Sequence, residues 1–278
     1  MMDVPELPEV ETVRRTLTGL VRGKTIKSVE IRWPNIIKRP AEPEEFARNL
    51  AGETIQSIGR RGKFLLFNLD HYVMVSHLRM EGKYGLHQEE EPDDKHVHVI
   101  FTMTDGTQLR YRDVRKFGTM HLFKPGEEAG ELPLSQLGPE PDAEEFTSAY
   151  LKARLAKTNR AVKTALLDQK TVVGLGNIYV DEALFRAGVH PETKANQLSD
   201  KKIKKLHAEI KNTLQEAIDA GGSTVRSYIN SQGEIGMFQL QHFVYGKKDE
   251  PCKNCGTMIT KIVVGGRGTH FCAKCQKK

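Results

Sequence analysis

The spacing of apolar residues predicts two kinds of secondary structure in separate regions of the chain. Behind Pro8, apolar residues recur every three or four positions as far as Leu20, which predicts a helix over residues 8–21. Residues 25–123 instead contain seven or eight short runs of alternating or β-branched residues, some separated by turn signals such as Asp105-Gly106. Strands at this spacing are typical of a two-layer β-sandwich.

The second half of the chain has the apolar spacing of helices. Residues 131–143 are rich in Pro, Gly and Glu and show neither period, so we expect a linker there. Helices are predicted beyond it, at residues 144–157, 161–168, 177–187 and 199–220. The prediction is an α+β fold: a β-sandwich domain with a flanking helix at residues 5–130, the linker, a helical domain at 144–242 and a hairpin at 243–278.

All four cysteines lie in the last 27 residues, as two CxxC pairs separated by sixteen residues: Cys252, Cys255, Cys272 and Cys275. Two such pairs joined by a hairpin can bring four thiolates around one Zn²⁺ in a tetrahedron, with no position left for catalysis. The pattern therefore predicts a structural zinc site. A pair of redox dithiols and an iron–sulfur site are the competing interpretations. We interpret His270 as a surface or phosphate-contacting residue and not as a ligand.

The net charge of the chain is compatible with a polyanionic partner, and its hydropathy argues against a membrane partner. Lysine and arginine outnumber aspartate and glutamate by 42 to 36, which suits a polyanionic partner without requiring one. No apolar run approaches the roughly 20 residues that span a bilayer, so we expect no membrane partner. The first residues also lack the basic and apolar segments of a secretory signal, and a cytoplasmic location is expected.

Several short motifs allow both a structural and a functional interpretation. Gly174, Gly176 and Asn177 form a glycine turn before a predicted helix, which is either an anion site for phosphate with Asn177 as the helix cap or a simple turn. Lys63 is either a solvated charge at a strand edge or a phosphate ligand. Met80 and Phe117 stand beside basic residues in turn-like contexts, and their residue types alone favour core positions.

Taken together, these motifs are similar to those of one family. The motifs PELPEVET, RRGKF, SHLRMEG, YRDVRKFG, LGPEP, GNIYVDE, GGSTVRSY and QGEIGMFQ and the two CxxC pairs resemble bacterial formamidopyrimidine-DNA glycosylases, which excise 8-oxoguanine. The resemblance runs from Pro5 to Cys275 in the family's order. It implies an N-terminal β-sandwich, a helix-two-turns-helix domain and a zinc finger, with damaged double-stranded DNA bound in the cleft between them. It further implies a monomer associated with the nucleoid.

The resemblance also implies the reaction. The family's nucleophile is an N-terminal proline, which matches Pro5. Its secondary amine attacks the sugar C1′, expels the base and leaves an iminium, and β- and δ-elimination then cleave the strand. Such an enzyme is a bifunctional glycosylase and AP lyase of base excision repair. Glu6 matches the catalytic glutamate that handles protons at the sugar ring oxygen, and Glu9 matches a supporting acidic residue.

The remaining residues implied by the resemblance contact DNA. Five match positions that bind phosphates around the flipped nucleotide: Lys63, His77, Asn177, Tyr245 and Arg267. Of these, Lys63 is also grouped with the catalytic residues. Three match the residues that fill the vacated stack and face the orphaned cytosine, which reverses the core interpretation of two of them: Met80, Arg115 and Phe117. Glu81 matches a residue near the base pocket. We expect backbone amides of residues 225–228 to select the oxidised base.

The chain departs from the family at its start, because Met1–Val4 precede the proline. Inside a chain the Pro5 nitrogen is an amide whose lone pair is delocalised, and it cannot act as a nucleophile. We therefore expect that translation starts at a GTG codon, which the sequence shows as Val4 and which is read as the initiator methionine. Removal of that methionine would expose Pro5.

Two other functions remain open from the sequence. Within the family, an endonuclease VIII-type enzyme would act on oxidised pyrimidines, although PELPE and RDVRKFG match the purine-excising branch better. From another class, a zinc-containing protein could bind lesions without cutting, and retention of residues 1–4 would favour it.

Overall fold

The computed structural model describes residues 5–223 and 241–278. The predictions for Val4 and for the amides of residues 225–228 lie outside these residues. The chain forms two compact units. The first contains Pro5 and Glu9–Ser135, and the second contains Glu6–Pro8, residues 136–223 and residues 241–278.

The first unit is a β-sandwich of two sheets. One sheet has four strands in the order β1-β7-β8-β6, and the other has five in the order β2-β9-β5-β4-β3, where only the short β2 runs parallel to its neighbour. The strands are β1 (Ile26–Ile31), β2 (Ile37–Arg39), β3 (Ser57–Arg61), β4 (Phe64–Asn68), β5 (Val73–His77), β6 (Lys83–Gln88), β7 (Val97–Met103), β8 (Thr107–Arg112) and β9 (Thr119–Phe123). The sandwich is confirmed, with nine strands where seven or eight were predicted.

Helix α1 (Leu7–Val21) contributes the flanking helix of the sandwich. Its apolar residues Val10, Val13 and Leu17 are buried in the same cluster as Leu65 of β4 and Phe101 of β7. The helical spacing of these side chains, read from the sequence, therefore corresponds to one buried face.

Helix α2 (Pro43–Leu50) was not predicted. It begins with a proline and two acidic residues, Glu44 and Glu45, and buries only Phe46 and Leu50. Proline in the first turn and acidic residues near the helix N-terminus are standard start signals. The helix was missed because two apolar positions are too few to establish a period.

The second unit is helical and ends in a hairpin. Its helices are α3 (Ser148–Leu155), α4 (Val162–Leu167), α5 (Asn177–Ala187) and α6 (Asp200–Asp219), and its hairpin is formed by β10 (Thr260–Val264) and β11 (Arg267–Phe271). Helix α5 has the predicted bounds. Helix α6 begins after Ser199, whose hydroxyl accepts a hydrogen bond from the Lys202 amide, as the capping pattern predicted.

Residues 124–147, all described by the structure, contain turns and no helix or strand. The two units divide between Ser135 and Gln136, within the predicted linker. The predicted domain boundaries at residues 130, 143 and 242 stay predictions. Among the described helices, none combines the length and the apolar character needed to cross a bilayer.

Candidate active site

The Glu6 carboxylate lies at the N-terminus of α5. It accepts hydrogen bonds from the backbone amides of Ile178, at 2.9 Å, and Tyr179, at 3.5 Å. The first amides of a helix have no partner within the helix, and the helix dipole favours an anion there. Glu6 is only 2% exposed, so these contacts hold its carboxylate in a fixed place away from bulk water.

The glycine turn before α5 accommodates Glu6 and Leu7. A Cβ atom at Gly176 would lie 2.2 Å from the Glu6 side-chain carboxyl carbon, and one at Gly174, where φ is +88°, would lie 2.3 Å from a Leu7 methyl carbon. The Leu7 amide donates to the Gly174 carbonyl at 3.2 Å. Glycine is therefore required at both positions, because any side chain there would clash with Glu6 or Leu7. The anion at this helix N-terminus is Glu6, and the interpretation of the turn as a phosphate site is not supported.

The sequence suggested that Asn177 caps α5. In the structure Gly176 is in the capping position, and Asn177 is the first residue within the helix. Its side-chain amide instead donates to the Gly268 carbonyl of β11 at 3.1 Å and lies 3.5 Å from the Tyr245 hydroxyl. Its Oδ1 atom is buried without a hydrogen-bond partner in the described chain. Arg267, the first residue of β11, is exposed beside Gly268. The structure thus brings three predicted phosphate-contacting residues of the second unit close together.

A buried ion pair contacts the Gly268 carbonyl, which also accepts from Asn177. The Lys163 ammonium donates to Asp181 Oδ1 at 2.7 Å and to the Gly268 carbonyl at 3.2 Å, and both side chains are fully buried. The other Asp181 oxygen accepts from the His270 amide at 2.8 Å. Lys163 and Asp181 therefore join α4 and α5 to β11. His270 is buried, so the expectation of a surface histidine was wrong.

Tyr245 is fixed through its backbone. The Glu182 carboxylate accepts hydrogen bonds from the consecutive amides of Phe243, Val244 and Tyr245 at 2.8 to 3.0 Å. Burial raises the pKa of Glu182, while these three amide donors oppose that shift. Sequence analysis missed Lys163, Asp181 and Glu182. They could have been found in the sequence as charged residues that stand among apolar residues in the predicted helices, since such positions are usually buried.

In the first unit, Lys63 and His77 lie at the ends of neighbouring strands. Lys63 follows Gly62 in the two-residue turn between β3 and β4, and His77 ends β5, where it pairs with Phe64. The Arg79 amide donates to His77 Nδ1 at 2.9 Å, so the neutral ring carries its proton on Nε2. Burial, then the charges of Arg79 and Lys63, lowers the pKa of His77 from 6.5 to about 3. The ring is therefore a neutral N–H donor at physiological pH.

Met80, Arg115 and Phe117 form one cluster, which we call the wedge. An Arg115 guanidinium nitrogen lies 2.9 Å from the Met80 sulfur, and the guanidinium carbon lies 4.8 Å from the centre of the Phe117 ring. Phe117 is 52% exposed, so its interpretation as a core residue from composition was wrong. Glu81, next to Met80, is half-buried. Pro5 and Glu9 are buried at the start of the chain, the latter in the first turn of α1.

The four cysteines fit one zinc ion. All four sulfur atoms lie within 4.8 Å of one another, with Cys252 and Cys275 at 3.9 Å and Cys255 and Cys272 at 3.5 Å. Tetrahedral sulfurs at about 2.3 Å from zinc lie about 3.8 Å apart, which matches these distances. No cysteine is in a disulfide, and the convergence of both pairs on one point favours zinc over two separate dithiols.

Comparisons with known proteins agree with this arrangement. Three family models match: the formamidopyrimidine-DNA glycosylase N-terminal domain at residues 4–120, the formamidopyrimidine-DNA glycosylase H2TH domain at 137–229, and the zinc finger found in FPG and IleRS at 249–278. The chain belongs to the formamidopyrimidine-DNA glycosylase family.

Relatives in this family match along almost the whole chain. The formamidopyrimidine-DNA glycosylase of Bacillus subtilis (strain 168) is 96% identical and that of Bacillus licheniformis 78% identical, each over 99% of this chain and 100% of the relative. Among solved structures, Lactococcus lactis Fpg in complex with DNA containing an abasic site has a TM-score of 0.92 at 45% identity, covering 99% of this chain and 100% of that chain. The fold and the zinc finger predicted from the sequence are thereby confirmed.

Because His77 is neutral in the folded protein, we expect the protein to lose stability in acid. The unfolded state binds the histidine proton below pH 6.5, whereas the folded state binds it only near pH 3, so the free energy of unfolding falls as the pH drops from about 6.5. The expected loss between pH 7 and pH 5 is on the order of 2 kcal/mol. Urea unfolding at both pH values measures it. His77→Asn retains an acceptor for the Arg79 amide and should remove this part of the pH dependence; an equal dependence in the variant would contradict the assignment.

Proposed function

We propose that this chain is a DNA glycosylase that excises oxidised purines from duplex DNA in base excision repair and then cleaves the strand as an AP lyase. The observation that carries the proposal is the Glu6 carboxylate anchored at the N-terminus of α5, directly after Pro5, in a chain matched to formamidopyrimidine-DNA glycosylases over most of its length.

Pro5 is the proposed nucleophile. Its nitrogen lone pair forms a bond to C1′ of the damaged nucleotide, the bond from C1′ to the base breaks, and the base leaves with the bonding electrons and a proton. Opening of the sugar ring gives an iminium between Pro5 and C1′. The iminium acidifies the C2′ hydrogen, so loss of that proton expels the 3′ phosphate, and a second elimination expels the 5′ phosphate.

Glu6 is the proposed acid and base for this sequence. Ring opening requires a proton at the sugar ring oxygen, and the amine must lose a proton after it attacks. The two amide contacts fix the Glu6 carboxylate at the N-terminus of α5, and Glu6 follows Pro5 directly in the chain. Glu9 would support the same region from the first turn of α1.

This chemistry requires a free secondary amine, so we propose that the reacting form of the protein begins at Pro5. An α-amino group has a reference pKa of about 7.7–8.0, which leaves a useful neutral fraction at physiological pH. A form that keeps residues 1–4 has an amide nitrogen in its place and would bind DNA without reacting.

The remaining residues would hold and deform the duplex. Lys63 and His77 of the first unit, and Asn177, Tyr245 and Arg267 of the second, would donate hydrogen bonds to phosphates. The wedge would fill the gap left when the damaged nucleotide is extruded, with Arg115 facing the orphaned cytosine and the two apolar side chains filling the stack. Glu81 would border the base pocket.

Arg267→Ala should weaken binding to damaged and undamaged duplexes by the same factor. A phosphate contact is independent of sequence and lesion, and losing it should reduce the slope of log affinity against log salt by about 0.9. Binding titrations at several salt concentrations measure both quantities. Lys201→Ala removes an equal charge from the exposed start of α6 and serves as the control. A loss confined to damaged duplex would contradict the phosphate role.

The function itself is tested with a panel of duplexes. Protein with a confirmed N-terminus at Pro5 should release 8-oxoguanine opposite cytosine and cleave the strand at that point. Faster release of thymine glycol opposite adenine would instead support an endonuclease VIII-type enzyme, and tight binding without strand cleavage would support a lesion-binding protein.

A further inference from the structure

The two turns that carry the wedge have an unusual backbone. Arg79, beside Met80, has φ of +55°, and Lys116, between Arg115 and Phe117, has φ of +59°. Within the described chain, Asp249 is the one other non-glycine residue in this left-handed region. Side chains with a Cβ atom rarely adopt it, so surrounding contacts must hold both turns in shape.

Asp113 supplies those contacts for the second turn. Its side chain is fully buried, and its carboxylate accepts hydrogen bonds from the amides of Arg115, Phe117 and Gly118 at 3.0, 2.9 and 2.8 Å. Two of these three amides belong to wedge residues. A single carboxylate therefore fixes the backbone from which Arg115 and Phe117 project.

Asp113 is itself held in place by the neighbouring strand. Its amide donates to the His96 carbonyl at 2.9 Å, and its own carbonyl accepts from His98 Nε2 at 2.9 Å. The Lys116 ammonium lies 3.9 Å from the centre of the Trp33 ring, which draws that side chain towards the ring. The turn between Asp113 and Gly118 is thus attached to the sandwich at several points.

The Tyr111 hydroxyl connects this turn to the one that carries Met80. It donates to Asp113 at 3.4 Å. A Cβ atom at Gly118 would lie 1.7 Å from this hydroxyl oxygen, and one at Gly82 would lie 2.3 Å from it. Both turns therefore pack against the same fully buried phenol.

We propose that Asp113, together with the Tyr111 hydroxyl, is a positioning residue that assembles the wedge before DNA binds and thereby sets how well the protein distinguishes the base opposite the lesion. The inference rests on the proposed function, because it assumes that the wedge enters the duplex. Arg115 and Met80 are in contact at 2.9 Å. A preassembled wedge loses little conformational freedom on insertion, whereas a loose one would insert less often and discriminate less.

The test replaces Asp113 with asparagine. An asparagine has nearly the same shape but offers one oxygen where three amides converge, so at least one amide loses its partner. We expect the ratio of 8-oxoguanine excision opposite cytosine to that opposite adenine to fall by about 10-fold, the effect of one or two lost hydrogen bonds. Fluorescence of a cytosine analogue opposite the lesion should also change less on binding. Asp142→Asn removes an exposed carboxylate outside the sandwich and is the control.

A second substrate separates this proposal from the proposed function. A single-stranded oligonucleotide with an abasic site has no opposite base, so borohydride trapping of Asp113→Asn on it should equal that of the unaltered protein. Failure of the unaltered protein to trap would contradict the proposed function instead, and the fluorescence measurement would still test the wedge. A folded Asp113→Asn with an unchanged ratio and fluorescence overturns the proposal. If that variant does not fold, Tyr111→Phe decides: a change of about 3-fold in the same direction supports the proposal and no change overturns it.

Discussion

Replacing Glu6 with glutamine should slow base excision by about 10²- to 10⁴-fold, the usual contribution of a positioned proton-transfer group. Glutamine is nearly isosteric, and its oxygen can still accept from the Ile178 amide, so the local structure should persist. It cannot exchange a proton with the sugar ring oxygen or with Pro5. Single-turnover release of 8-oxoguanine from a duplex measures the effect.

A control and a second substrate make this result specific. Glu44→Gln removes an exposed carboxylate from α2 and should leave the excision rate unchanged. An abasic site already has an open sugar in equilibrium with the closed form, so Glu6→Gln should retain more activity there than on the intact lesion. Excision by Glu6→Gln within a few-fold of the unaltered rate would show that Glu6 is not the proton-transfer group.

Replacing Cys255 with serine should release zinc and abolish DNA binding through the hairpin. Structural zinc contributes about 10–16 kcal/mol in isolated fingers, and a serine hydroxyl is a poor replacement for a thiolate. Cys252 and Cys272 also pack with Phe185, Val244 and Ile259 in one small buried cluster. Loss of the metal should therefore displace Arg267 and the segment next to Tyr245 together.

Metal content by atomic absorption and duplex affinity by titration measure this outcome. Met258→Ala removes an exposed apolar side chain just before β10, between the two CxxC pairs, and should keep both zinc and affinity. Retained zinc with unchanged affinity in Cys255→Ser would contradict a four-cysteine structural site.

Local signals in the sequence predicted much of the helical unit. Helices α5 and α6 follow from apolar periodicity and from the glycines and serine at their ends, all of which act within a few residues. The four zinc ligands were predicted because their spacing in the chain largely determines their geometry. The sheet order of the sandwich depends on pairings between distant strands, which a pattern along the chain does not specify.

The parts of the site that could not be predicted are long-range contacts between polar groups. Glu6 binds an amide 172 residues away, and Lys163 binds a carbonyl 105 residues away. Nothing near either residue indicates its partner. The resemblance to the family supplied Glu6, Asn177 and Arg267 as candidates, while the supporting residues Asp113, Asp181 and Glu182 became visible only through their hydrogen bonds.

The central claim is that the nitrogen of Pro5, at the start of the reacting chain, bonds to deoxyribose. Borohydride reduction during turnover on an 8-oxoguanine duplex, followed by proteolysis and mass spectrometry, tests it most directly. The DNA remnant should be attached to a peptide that begins with Pro5 and Glu6. A remnant attached to a lysine, or full-rate excision by protein that still carries residues 1–4, would contradict it.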